Sequence, residues 1–239
     1  MPRPIWLFGS LLANKGVFVE LYDVMRTTFA ARDFTDDPLP DAVLHRILDQ
    51  ARFAASGGNR QGWRVLIIRD PHTREAMVPM MMPVFQRYFA QVQAGEAPWN
   101  TIVPTRLSAA EIAAAPAPEA FIRRLTAAPV ILLVLVDLSV VASFDADLPR
   151  VGVISGASIY PFVWNILLAA RNEGYGGTPT TFLAAAEPQI QSLLGIPEHM
   201  AVAALIPMGR PVKQLTRLKR KPVEEFAMHE RWGGRPLGG

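Results

Sequence analysis

The first combination of residues that could contact a ligand lies between Ala54 and Trp63. Two adjacent glycines let the backbone approach a bound molecule closely, and Ser56, Asn59 and Gln61 offer short, adaptable hydrogen bonds. The same pattern also suits an ordinary loop that ends a helix and begins a strand at an aromatic residue. Composition alone leaves both interpretations open.

A second glycine-rich segment spans residues 174–181. Its glycines again release the backbone, and Thr178, Thr180 and Thr181 present hydroxyl groups and amides around Pro179. The alternative interpretation is the C-terminal end of a helix followed by an ordinary loop.

The third candidate is a basic segment that ends at Pro222. It places four cations within five residues, and arginine can bind two phosphate oxygens at once. The four are Arg217, Lys219, Arg220 and Lys221. A solvated run of charges would look the same. Arg32, ahead of an acidic turn, is a further isolated cation.

Several chemistries lack the residues that they need. The chain has no cysteine, which excludes disulfides, thiolate metal sites and a cysteine nucleophile. No two of the four histidines have metal-ligand spacing on one helix, and there is no nucleophile elbow, P-loop or G-x-G-x-x-G sequence. The histidines are His45, His72, His199 and His229. No metal site is predicted.

The composition is that of a folded protein. The chain has 239 residues, of which 50% are hydrophobic and 19% are charged, and this excludes a disordered chain. A formal net charge of +3 is too small to indicate nucleic-acid binding. No stretch approaches the ~20 apolar residues of a membrane span, and residues 1–12 do not resemble a secretory signal. The absence of cysteine fits a reducing compartment, so we expect a cytoplasmic protein.

Hydrophobic spacing predicts the elements that position these segments. Apolar residues at helical spacing predict helices near 21–28, 40–51, 156–171 and 188–194, with another beginning at Asp70–Pro71. Runs rich in aliphatic residues predict strands at 63–69, 129–137 and 200–207. The stretch from Pro79 to Pro118, rich in methionine and proline, predicts short helices and loops that form an insertion or lid. The sum is one α+β domain over residues 21–233, with an N-terminal arm (1–20) and a C-terminal tail (234–239).

In their order along the chain, these segments resemble the FMN-dependent nitroreductase family. Residues 28–34 with Pro38-Leu39-Pro40 are similar to the family's Arg-Arg-Ser-Val-Arg-x-Phe pattern and its later Pro-x-Pro, and residues 54–63 to its Ala-Pro-Ser-x-x-Asn-x-Gln-Pro-Trp stretch. Later motifs match at 156–176, 194–198, 208–211 and 220–233. The resemblance implies a mostly antiparallel central sheet with helices on both faces, and FMN at a homodimer interface.

The resemblance also implies a set of cofactor-binding residues. They are Thr28, Ala30, Arg32, Ser56, Asn59, Gln61, Pro179, Thr180, Thr181, Lys219 and Arg220. In the family, the first motif and the late Arg-x-Pro contact the FMN phosphate, and the loop matched by residues 54–63 reaches the flavin across the dimer interface. The segment matched by residues 179–181 passes near the flavin N5 edge.

The chain departs from the family pattern at the phosphate motif. Thr28 and Phe29 stand where the family has its leading arginine pair, and Ala30 stands where it has serine. One phosphate cation is therefore missing from its usual place, and Arg26 is a candidate substitute although an ungapped alignment does not put it there. Gly62 also replaces the family proline before the aromatic residue.

The resemblance implies a ping-pong reaction. NAD(P)H, either NADH or NADPH, would reduce FMN, and an electron-poor acceptor such as a nitroaromatic or a quinone would then take the electrons. The flavin carries the chemistry, so no side-chain acid or base is required. Two alternatives stay open: a specialised member for dehydrogenation, dehalogenation or flavin cleavage, and a flavin-binding carrier or sensor without turnover.

Overall fold

A four-stranded antiparallel sheet forms the centre of the fold. The computed structural model describes residues 20–238, and its strands are β1 (Trp63–Ile68), β2 (Val130–Asp137), β3 (Gly176–Gly177) and β4 (Met200–Gly209). They lie in the order β1-β2-β4-β3, and each pairing is antiparallel. The three strands expected from the aliphatic runs are confirmed, and the short β3 is added at the edge of β4.

Burial on both faces explains why β2 is a continuous apolar run. Every residue of β2 except Asp137 is buried. Alternate side chains enter two different cores, with Leu132 and Val134 in one and Ile131 and Leu133 in the other. A strand covered on both faces has no solvent side on which polar residues would alternate.

Seven α-helices cover the two faces of the sheet in the described part of the chain. They are α1 (Leu21–Thr27), α2 (Asp41–Ala51), α3 (Pro71–Gln93), α4 (Ala109–Ala114), α5 (Glu119–Thr126), α6 (Tyr160–Asn172) and α7 (Glu187–Leu194). Helices α2 and α6 pack on one face, and α3, α5 and α7 pack on the other. This arrangement confirms the expected α+β class. None of the described helices is both long and apolar enough to cross a membrane.

The prediction of short helices and loops from Pro79 onward is wrong for the first part of that stretch. Helix α3 continues as one helix through Pro79 and Pro83. A proline in a helix interior removes a backbone donor and costs about 3 kcal/mol. Both prolines lie on the exposed face of α3, whereas Met77, Met81 and Phe85 on the opposite face are buried. We infer that the burial of that apolar face outweighs the cost of the prolines.

The rest of the stretch is held against α3 by side-chain hydrogen bonds. Gln86 donates to carbonyl groups at the end of α4, the shorter contact being 2.6 Å to Ala115. The buried Gln91 accepts a hydrogen bond from the Trp99 amide at 3.2 Å. The interpretation of residues 79–118 as a lid stays a prediction.

The two ends of the chain were predicted to form an arm and a tail. Of the arm, residues 1–19 lie outside the described residues, and Glu20 caps α1 by accepting a hydrogen bond from the Tyr22 amide at 2.9 Å. Of the tail, residues 234–238 are described, and the Leu237 amide donates to the Ala227 carbonyl at 2.9 Å. The domain boundaries themselves stay predictions.

A buried carboxylate organises the connection between β2 and α6. Asp145 is 4% exposed and accepts hydrogen bonds from the Val153 amide (2.7 Å), the Arg150 guanidinium (2.7 Å) and the Ser143 hydroxyl (3.2 Å). The bond from the Val153 amide is the main cause that lowers the pKa of Asp145 to about 2. The conformation of this connection therefore depends on an ionised carboxylate.

We expect the connection to loosen in acid. The pKa of Asp145 falls from an ordinary 3.8 to about 2 on folding, so its stabilising contribution is complete above 3.8 and is lost as the pH falls through 2. Hydrogen exchange of residues 143–154, corrected for the intrinsic rate, should therefore be slow at pH 5 and faster near pH 2. Asp145→Asn should exchange fast at both. Equal protection of variant and wild type at pH 5 would contradict this role.

Candidate functional site

The middle of the segment 28–34 attaches to the outer side of β3. Ala30 forms a parallel bridge with Gly177, and the Ala31 amide donates to the Gly177 carbonyl at 3.1 Å. Thr28 is buried, and its hydroxyl donates to a carbonyl of α1 at 2.7 Å. Ala30 and Arg32 are exposed. The predicted phosphate motif therefore lies beside the predicted N5 segment.

Beyond β3 the chain continues along the edge of β4. Thr180 exchanges two backbone hydrogen bonds with Leu205, both 2.8 Å long. Its side-chain hydroxyl is buried and has no hydrogen-bond partner among the described residues. Pro179 and Thr181 are exposed on either side of it. Gly177 cannot be larger, because a Cβ there would lie 2.7 Å from a carbonyl oxygen of β4.

The basic segment starts next to the same region. After β4 the chain turns back, and the Gln214 side chain donates to the Thr27 carbonyl at 2.9 Å. Lys219 and Arg220 follow five and six residues later, and both are exposed. Arg220 donates to the carbonyl of Lys219 at 2.7 Å. The structure thus joins the chain just before the basic segment to the end of α1.

The predicted phosphate cations have no acidic partners. Within residues 20–238, no carboxylate forms an ion pair with Arg32, Lys219 or Arg220. Arg32 lines a polar groove of about 420 Å³ together with Arg124, whose guanidinium lies 3.5 Å from Asp33. Sequence reasoning missed Arg124, which comes from α5 and carries no local signal. Asp33 and Asp36 line the same groove, so its two arginines lie among carboxylates.

The loop with Ser56, Asn59 and Gln61 has a strained backbone. Gly58, Asn59 and Gln61 have φ values of 60°, 53° and 51°, a region that residues with a Cβ rarely adopt. Ser56 holds the turn closed because its hydroxyl oxygen accepts from the Gln61 amide at 3.0 Å. The Gln61 side chain in turn donates to Asn59 Oδ1 at 3.1 Å. Strain of this kind persists where the surroundings determine the backbone and often marks functional loops.

Two residues far along the sequence anchor this loop. The Gly57 amide donates to the Ser158 hydroxyl at 3.0 Å, and a Cβ on Gly62 would lie 2.7 Å from Val140 Cγ2. The second contact explains why a residue larger than glycine does not fit at position 62. Sequence reasoning missed Ser158, which is 101 residues from Gly57, because no spacing rule connects positions so distant.

A carboxylate, that of Asp137, lies at the end of this loop. The Asp137 amide donates to the Gly62 carbonyl at 2.8 Å. Hydrogen bonds from Ser139, above all from its hydroxyl, lower the pKa of the Asp137 carboxyl. The carboxylate therefore stays ionised across the neutral range.

The two groups of predicted residues lie at opposite ends of α6. Ser158 and the loop that it holds precede the helix, and Trp63 stacks on Phe162 in its first turn at 4.7 Å. At the other end, the Arg171 guanidinium donates to the Thr27 hydroxyl at 3.0 Å. Thirteen helical residues span about 20 Å. Within one chain, residues 30 and 31 attach to Gly177, two residues before Pro179, whereas residues 56–61 lie at the other end of α6.

The comparison with protein families agrees with the fold. A model of the Nitroreductase family matches residues 25–210, which include the whole sheet and all seven helices except the start of α1. The chain therefore belongs to the Nitroreductase family. The sequence resemblance described above is confirmed.

Three relatives illustrate what the chain is similar to. It is 28% identical over 201 residues to an NADH dehydrogenase of Thermus thermophilus, covering 82% of this chain and 89% of the relative. It is 25% identical over 212 residues to an iodotyrosine deiodinase of Nematostella vectensis, covering 87% and 74%. An oxidised iodotyrosine deiodinase bound to FMN and 3-iodo-L-tyrosine superposes with a TM-score of 0.63 at 22% identity, covering 89% of this chain and 100% of that one. At this identity the superposition shows a shared fold.

We expect Ser158 to hold the strained loop in place. Ser158→Ala removes the acceptor for the Gly57 amide, and a net hydrogen bond is worth about 0.5–1.5 kcal/mol. Amide exchange in residues 55–62 should therefore become roughly 2- to 12-fold faster. Ser158→Thr keeps a hydroxyl and should restore most of the protection. Ser155→Ala, in the same short 3-10 turn, is the matched control, and an equal effect there would contradict the assignment.

Proposed function

We propose that the chain is an FMN-dependent oxidoreductase that takes reducing equivalents from NAD(P)H and passes them to an electron-poor acceptor such as a quinone or a nitroaromatic. One observation carries the proposal. Arg32, which forms no ion pair within residues 20–238, follows the backbone that is bonded to Gly177, and the chain just beyond Gly177 holds a buried, unpartnered hydroxyl, Thr180 Oγ1. Such an arrangement suits a ligand with a phosphate at one end and a hydrogen-bonding ring at the other.

The residues present fit FMN. Arg32, Lys219 and Arg220 are exposed and form no ion pair with a carboxylate in the described part of the chain. A buried polar group without a partner costs about 1–3 kcal/mol, so the unpartnered hydroxyl of Thr180 calls for an explanation such as a ligand atom. The backbone around Pro179 and Thr181 is exposed and able to contact a planar ring.

Each residue then has a role in binding and orientation. FMN supplies reversible hydride and electron transfer when it is bound. Lys219 and Arg220 would hold its phosphate through charge-assisted hydrogen bonds. Arg32 would place positive charge beside the polar part of the ring, and Thr180 or Thr181 would offer a hydrogen bond near its reactive edge. No side chain needs to move a proton, because the flavin carries the chemistry.

A second candidate function is reductive dehalogenation of an aromatic substrate. The observation that favours it is the 25% identity to an iodotyrosine deiodinase over 87% of the chain. The 28% identity to an NADH dehydrogenase favours the first function, because that name implies a nicotinamide as the electron donor. A flavin-binding protein without turnover is the remaining alternative.

The experiment begins with the visible spectrum of the purified protein. We expect it to be yellow, to release about one FMN per chain on heating, and to bleach when NADH or NADPH is added without oxygen. Adding a quinone or a nitroaromatic should restore the colour. FAD, or no flavin after reconstitution, would refute the proposal. If dithionite but neither nicotinamide bleaches the flavin, and 3-iodo-L-tyrosine then restores the colour with release of iodide, the result would favour dehalogenation. If FMN binds but no acceptor is turned over, the result would favour a carrier.

We further propose that the site is completed in a homodimer, with Ser56, Asn59 and Gln61 contributed across the interface. The separation of about 20 Å between the two groups supports this, since one chain does not bring them together. The face of α2 and α6 also exposes large apolar side chains, with Phe53, Tyr160 and Trp164 at 70%, 47% and 44%. Obligate interfaces bury roughly 2,000 Å² or more, and such side chains are suited to them.

A mixed dimer tests the shared site. One variant combines Arg32→Ala with Arg220→Ala, the other combines Asn59→Ala with Gln61→Ala, and each homodimer should bind FMN poorly. Co-expression with two different tags allows the mixed dimer to be purified. If the site is shared, one of its two sites keeps Arg32, Arg220, Asn59 and Gln61, and the other site lacks all four side chains. Its FMN content should therefore recover to about half of the wild-type value. A monomer by light scattering with FMN bound, or no recovery in the mixed dimer, would contradict the shared site.

A further inference from the structure

The first part of the predicted phosphate motif carries no charge of its own. Residues 28–31 are threonine, phenylalanine and two alanines. We propose that Arg171, from the last turn of α6, supplies a cation at this position and binds the phosphate of FMN together with Lys219 and Arg220. This inference rests on the proposed function.

Arg171 is held in place by one nitrogen of its guanidinium. Nε donates to the hydroxyl of Thr27 at 3.0 Å, and that hydroxyl donates in turn to the carbonyl of Asp23 at 2.5 Å. Arg171 is half-buried, and it lines a narrow cleft together with Thr28 and Gly177. The side chain is therefore oriented toward the place where the 28–34 segment meets β3.

The other two nitrogens of the guanidinium are available to a ligand. Within residues 20–238, no carboxylate pairs with Arg171, and neither terminal nitrogen has a hydrogen-bond acceptor. A planar guanidinium with two free N–H edges can bind two phosphate oxygens at once. Anchoring through Nε also reduces the conformational freedom that the side chain would lose on binding.

The other arginines near this cleft are engaged elsewhere. The Arg26 guanidinium lies over the Tyr22 ring, 5.7 Å from its centroid, and so points back along α1. Arg210 forms an ion pair with Asp37 at 3.5 Å and lies over an aromatic ring. Arg26, considered from the sequence as the substitute cation, is therefore poorly placed, whereas Arg171 reaches the position from a distant element.

One competing role must be separated from phosphate binding. Helices α1 and α6 both end near Thr27, and the carbonyl groups at helix C-termini attract cations in the absence of any ligand. If Arg171 served only these helix ends, its loss would lower the stability of the protein without discriminating between ligands. A phosphate-binding residue would instead discriminate between FMN and riboflavin, which lacks the phosphate.

The experiment titrates FMN and riboflavin into apoprotein and follows quenching of flavin fluorescence. Arg171→Ala should weaken FMN binding by roughly 10- to 150-fold, the range of a charged hydrogen bond, and leave riboflavin binding within about twofold. Arg171→Lys should retain part of the affinity for FMN. Arg220→Ala should show the same selectivity, and Arg123→Ala on α5, an exposed arginine that pairs with Glu75 and Glu119, is the charge-matched control with unchanged binding. The melting temperature of each apoprotein reports any loss of stability.

Each outcome decides the inference. Equal weakening of FMN and riboflavin, or a lower apoprotein melting temperature with unchanged FMN affinity, would assign Arg171 to the helix ends and overturn the proposal. Selective loss in Arg220→Ala or Arg26→Ala but not in Arg171→Ala would overturn it while leaving the FMN site intact. If wild-type apoprotein binds neither flavin, the proposed function fails and this inference fails with it.

Discussion

The backbone hydrogen bonds along the outer edge of β4 are the interaction on which the site depends. Strand β3 pairs with the end of β4, and Thr180 pairs with Leu205 further along the same edge. Residues 30 and 31 then attach to Gly177 from outside. Each of these segments forms backbone hydrogen bonds with the next one inward, from residues 30–31 to β3 and from β3 to β4. The position of the buried strands β2 and β4 therefore determines where the 28–34 segment lies.

Helix α6 sets the scale of the site. Its apolar side chains, among them Phe162, Ile166 and Leu167, are buried against the sheet, so the helix cannot shift without disrupting that core. The strained loop is anchored before its first turn, and the 28–34 segment is anchored at its last. A rigid spacer of about 20 Å therefore separates two sets of polar residues, which the proposed homodimer would bring together.

The arginines of the chain divide into those that form ion pairs with carboxylates and those that do not. Most ion pairs of the described chain lie on exposed surfaces, where each contributes little to stability. Arg32, Arg171 and Arg220 are not used in this way. Cations without carboxylate partners gain from binding an anion. The proposed phosphate contacts of Arg171 and Arg220 would supply one.

Local patterns in the sequence predicted the class of fold and three of the four strands. Long aliphatic runs such as 130–136 can be satisfied only by burial on both faces, and this is a local property that periodicity reveals. The resemblance also identified the family. The prediction for α3 was wrong because the low helix propensity of Pro79 and Pro83 is outweighed by the burial of other side chains of the helix. Met77, Met81 and Phe85 are buried, and their burial depends on the elements that pack against α3.

The grouping of the polar residues depends on how the elements pack. The structure attached residues 30 and 31 to Gly177, placed residues 56–61 at the other end of α6, and added Ser158, Arg124 and Arg171, none of which has a local signature. The reason is physical. Local patterns record which face of a helix or strand is buried, whereas contacts between residues 101 or 144 positions apart arise from packing of elements that share no sequence period.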